Sequence, residues 1–121
     1  MKLVATLTLT LSLLGSIYST QASATNVEAL NGICENIAAD DKSRFRKKLK
    51  ESGLKLRNIY DSISCGGDNL VRYAMSQNAS KVGAFIVKRL PATHFSASGD
   101  VEWAKSNGHA ASPIVETIAA R

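Results

Sequence analysis

The sequence predicts an all-α fold of short antiparallel helical hairpins fastened by one disulfide. Three observations carry this expectation. Apolar residues recur at helical spacing in several short segments, each closed by Asn, Asp, Gly or Pro. The stretch Gly66–Leu90 reads as two helices joined by a tight turn at Asn78, and the rest of the chain reads as copies of it or as packing against it. The only two cysteines, Cys34 and Cys65, both follow a segment with the features of an export signal.

That segment is residues 1–24. Lys2 supplies a positive start, Leu3–Tyr18 is apolar with interspersed Thr and Ser, and Ala22-Ser23-Ala24 fits a small-residue cleavage site. The apolar part is short and polar for a membrane span, which needs about 20 apolar residues. The expected location is periplasmic or secreted. Removing Lys2 takes the formal charge from +5 to +4. An oxidising compartment makes a Cys34–Cys65 disulfide the default for so small a core. A redox role is the weaker alternative, because redox pairs usually sit close in sequence as Cys-x-x-Cys.

Residues 25–90 are expected to form the helical-hairpin domain. The first helix is predicted over Asn26–Ala39, with Leu30, Ile33, Cys34 and Ile37 as its apolar stripe and Thr25-x-x-Glu28 as a capping box. Asp40-Asp41 marks a turn and a negatively charged helix start. The helix that follows, Asp41–Ser52, is strongly basic: Lys42, Arg44, Arg46, Lys47, Lys48 and Lys50 are opposed within it only by Glu51, and only Phe45 and Leu49 face inward. Its like-charge pairs Arg44–Lys48 and Arg46–Lys50 each cost roughly 0.2–0.5 kcal/mol. Leu54, Leu56, Ile59, Tyr60 and Ile63 predict a further short helical or extended segment, where Lys55 and Arg57 extend the positive field.

In the organising stretch, Asp68 or Asn69 caps a helix carrying Leu70, Tyr73 and Ala74, and Asn78 ends it. The second helix sets Val82, Phe85, Ile86 and Leu90 on one stripe, with Lys81, Lys88 and Arg89 toward water, and Pro91 stops it. Residues 91–99 read as a linker and residues 100–121 as a C-terminal helical segment or mobile tail. Trp103 anchors that segment, and Ser112-Pro113 opens a last helix bearing Ile114, Val115 and Ile118.

The pattern Gly67-x-Asn69-x-Val71-x-x-Ala74-x-x-x-Asn78-x-x-x-Val82-x-x-x-Ile86 resembles an ankyrin repeat. It departs from that family where Asn69-Leu70 replaces Thr-Pro and Arg72 replaces the usual His. Ile33, Ile37, Phe45 and Leu49 match Leu70, Ala74, Val82 and Ile86 at a constant offset of 37. Ala104, Asn107-Gly108-His109, Val115 and Ile118 give a third copy, offset by 30 from Ala74. These offsets bracket the ankyrin period of about 33 residues. The resemblance implies ankyrin-like stacking; the plainer alternative is three hairpins with no common origin. The arrangement also resembles a family of small exported bacterial proteins of unknown function, a resemblance that implies no activity.

No Gly-x-Ser-x-Gly elbow and no phosphate-binding Gly-x-x-x-x-Gly-Lys-Ser/Thr loop occurs in the sequence. Asp40-Asp41 is more plainly a helix cap than a catalytic pair. His94 and His109 lie in polar surroundings with no further ligands at metal spacing. The expectation is a non-catalytic chain with no metal and no cofactor. The feature left over is the run Lys42, Arg44, Arg46, Lys47, Lys48 and Lys50, read as a surface for an acidic protein or an anionic envelope surface. Nucleic acid fits poorly, since only Phe45 lies among these charges for base stacking. The expected function is therefore an exported binding module with a basic face. The alternative is a structural or stress-related envelope protein whose basic face only aids solubility.

Overall fold

The computed structural model describes residues 30–121. The expected signal segment, the capping box and residues 26–29 of the first predicted helix lie outside the described residues. Among the described residues, eight α-helices follow one another: α1 Ile33–Ala38, α2 Lys42–Ser52, α3 Leu56–Ile59, α4 Leu70–Ser76, α5 Ser80–Arg89, α6 Ala92–Ser98, α7 Asp100–Ser106 and α8 Pro113–Ala119. A single 3₁₀ turn, Tyr60–Ser62, continues α3. Among the described residues there is no strand, only an isolated bridge between Cys65 and Asp68.

Local chemistry sets the ends of these helices. Asp41 caps α2 by accepting from the Arg44 N–H (3.0 Å). Asn69 caps α4 through the Arg72 N–H (2.8 Å), and Ser112 caps α8 through the Ile114 N–H (3.2 Å), with Pro113 in the first turn. Gly32 corrects the first expectation. Its φ of +84° is left-handed, so Leu30–Gly32 is a turn and α1 begins only at Ile33. The segment expected as a linker also differs: Ala92–Ser98 forms α6, bounded by Pro91 and Gly99. No residue of α6 is fully buried, so no apolar stripe announced it.

The α4–α5 hairpin is the centre. On one side α1 packs on α4 and α2 on α5; on the other, α7 packs on α4 and α8 on α5. The core accordingly joins Ile37 and Phe45 to Leu70, Met75, Ile86 and Val87, and these to Ala104, Ile114 and Ile118. The three hairpins turn in the same way. Asp40, Asn78 and Gly108 have φ of +53°, +56° and +80°. The next residue's N–H bonds back to the carbonyl five residues earlier: Asp41 to Asn36 (2.8 Å), Ala79 to Ala74 (2.8 Å) and His109 to Ala104 (2.7 Å). This is a Schellman-type closure, which favours Gly or Asn in the left-handed position.

Side chains then tie hairpin to hairpin. The Asp40 carboxylate accepts from the Val82 N–H (2.9 Å) at the start of α5. The Cys34–Cys65 disulfide, with Cα atoms 5.7 Å apart, joins α1 to the turn before α4. Arg72 on α4 donates through Nε to Asp100 Oδ1 on α7 (2.7 Å), and Asn69 donates to the same oxygen (3.1 Å).

Candidate basic cleft

Helix α2 turns Phe45, Ser52 and in part Leu49 inward, which leaves most of its cationic run toward solvent. Phe45 is fully buried, and it meets Phe85 of α5 edge-on at a centroid distance of 5.8 Å. Phe85 itself is only half-buried, whereas the apolar stripe predicted it inside. The reason lies in its neighbours: the guanidinium carbons of Arg89 and Arg46 lie 4.8 Å and 5.9 Å from its ring centre. The ring face is thereby covered by cations rather than by the core.

Around this stack, α2, α5 and the segment 54–57 enclose a cleft of about 800 Å³. Arg46, Lys47, Lys50, Lys55, Arg57 and Arg89 line it, and among the described residues no carboxylate does. Leu49, Leu54, Leu56 and Phe85 supply its apolar lining. Among the described residues, none of these six cations has a carboxylate within ion-pair distance; the two ion pairs are Arg44–Asp41 (3.4 Å) and Arg72–Asp100 (2.7 Å).

The basic run is thus divided by the structure. Arg46, Lys47 and Lys50 reach the cleft. Arg44, Lys48 and again Lys47 border a second depression that also contains Glu35 and Glu51, so its charge is mixed. Lys42 lies exposed at the first turn of α2 and borders neither. Arg89 joins the cleft from α5, 43 positions after Arg46 in the sequence, a pairing only the α2–α5 contact creates.

A second group of titratable residues sits between α3, α4, α6 and α7. Asp100 is 1% exposed, and its Oδ2 has no hydrogen-bond partner. Arg72 also donates to the Ser98 carbonyl (2.9 Å), and its guanidinium carbon lies 5.5 Å from the centre of the Trp103 ring. Tyr60 accepts from the Val71 N–H (3.2 Å), and its ring meets that of His94 edge-on at 5.0 Å. Burial pushes the Tyr60 phenol above its ordinary range; the Val71 N–H opposes this, and the Asp100 charge adds to the rise. These contacts close the interior between hairpins. Among the described residues, no three His, Cys, Asp or Glu side chains converge where a metal ion could sit.

The sequence model of a family described as a protein of unknown function (DUF3718) matches residues 33–97. The chain belongs to this family. The matched span runs from α1 almost to the end of α6 and contains every residue of the basic cleft, while α7 and α8 lie beyond it. No curated protein and no solved structure matches the chain. Among the described residues of this DUF3718 member, no helix is long and apolar enough to cross a membrane. Its disulfide is compatible with an extracellular or secreted location.

Proposed function

We propose that this chain is an exported, non-catalytic interaction module that holds an anionic partner in the cleft between α2 and α5. The observation that carries this reading is the lining of six cations with no carboxylate among them. Like charges brought together repel, and among the described residues no hydrogen bond or ion pair of these six side chains holds them together. An incoming anion relieves that repulsion and is concentrated by the field. The export reading adds the signal-like residues 1–24 and the disulfide in support. The stacked-hairpin reading, akin to ankyrin repeats, is supported by the three corners of like geometry and by the pairing of first with first and second with second helices.

The test is binding of the oxidised protein to three anionic materials, phosphatidylglycerol vesicles, polyglutamate and heparin, at low and at high salt. Retention on at least one at low salt, lost at high salt, is expected. Arg46→Glu with Lys47→Glu should weaken that retention about tenfold or more while the melting temperature stays within a few degrees. No retention on any of the three at low salt overturns the reading. So does equal retention of the double variant, which would favour a structural protein with a solvated basic face.

A further inference from the structure

We infer that the ligand of this cleft is an anionic amphiphile, a phosphate-headed lipid with its acyl chain laid along the apolar lining. The inference rests on the anion-binding reading above and narrows it. The geometry of the lining separates this ligand from a hydrophilic polyanion. The guanidinium carbons of Arg46 and Arg89 lie 5.9 Å and 4.8 Å from the centre of the same Phe85 ring, so both charges border the cleft beside that ring. A guanidinium suits the oxygens of a phosphate better than an ammonium group does, because it presents a planar fork of donors. Lys47, Lys50, Lys55 and Arg57 complete the charge around that point.

In the same lining, Leu49, Leu54 and Phe85 are each only partly buried, and Leu56 is buried. These apolar surfaces belong to one cleft, contiguous with the charge. A polyanion such as an acidic peptide would cover the rim and leave them facing water. An alkyl chain would cover them and gain free energy with every methylene removed from water. The volume of about 800 Å³ lies within the range of small-molecule sites, and a concave site of that size accommodates a headgroup with the first part of a chain.

The experiment uses the full oxidised domain and soluble probes below their micelle concentrations. Octyl phosphate, inorganic phosphate and octyl glucoside are titrated while chemical shifts of the 49–57 and 85–89 backbone amides are followed. Octyl phosphate should bind about tenfold or more tightly than inorganic phosphate and than octyl glucoside, with shifts centred on those residues. Arg46→Gln with Arg89→Gln should remove most of the octyl phosphate affinity. Leu54→Ser should lower octyl phosphate affinity and leave that for inorganic phosphate unchanged. Equal affinity for octyl and inorganic phosphate overturns the amphiphile, even where the polyanion assays succeed and the broader reading stands. Octyl phosphate shifts outside the cleft overturn it as well.

Discussion

Gly83 lies in the middle of α5, where an alanine would ordinarily strengthen the helix by about 1 kcal/mol. Here a Cβ would overlap the Ile114 Cδ1 of α8 and come within 2.6 Å of its Cγ1 and 3.4 Å of the Ala74 Cβ. The packing term outweighs propensity, so Gly83→Ala should destabilise by about 1–3 kcal/mol. Thermal melts of Gly83→Ala alone and with Ile114→Ala measure this; the double variant should lose less than the sum of the two singles. Asp100 makes a second prediction at this scale. Its side chain is fully buried, and Arg72 is the cation that neutralises it. Arg72→Met leaves that carboxylate unpaired and should cost about 3–5 kcal/mol in chemical denaturation. Tyr60 makes a third. Its phenol is favoured neutral in the fold, so its contribution is complete below the ordinary value of 10.0 and is lost as pH rises beyond it. Stability measured from neutral to strongly alkaline pH should fall above pH 10 in the wild type. Tyr60→Phe should flatten that fall while lowering stability at neutral pH, because the Val71 N–H loses its acceptor.

At the scale of elements, the disulfide and the corners decide how hairpins are held. The cysteines close a loop of about 30 residues, so Cys34→Ser should lower stability by about 3–4 kcal/mol and leave Cys65 a free thiol that is alkylated once the domain is unfolded. A melt unchanged by reductant would contradict this. What the residues announced of the elements followed from strong local signals. Asp41 and Ser112-Pro113 are readable as helix starts because a cap acts within one turn, and the cap of α4 is readable only as Asp68 or Asn69, of which the structure uses Asn69. Asn78 was readable as a corner because few residues tolerate its conformation. Gly32 was not, since a glycine in a helical pattern is equally compatible with a late start or an uninterrupted helix. Helix α6 was hidden because its serine, threonine and alanine sequence has no stripe. Its His94 ring meets that of Phe95 at 4.8 Å and that of Tyr60 at 5.0 Å.

At the scale of the whole molecule, the basic run could be read from composition, but the cleft could not. Arg46 and Arg89 meet only because α2 packs on α5. Phe85 looked like core because its position on the helix is right for core, and only the fold shows cations over its face. The half-buried Arg72–Asp100 pair is illegible in the sequence for the same reason: its partners stand on helices α4 and α7, 28 positions apart. In the proposed function the cleft, rather than the chain's net charge, holds the anion. Two double reversals separate these, since each changes net charge equally. Arg46→Glu with Arg89→Glu alters the cleft; Lys42→Glu with Arg44→Glu alters the same basic face outside it. Binding to phosphatidylglycerol vesicles at low salt should fall about tenfold or more for the first pair and by no more than about threefold for the second. Equal losses for both pairs would contradict the account, leaving net charge as the whole of the attraction.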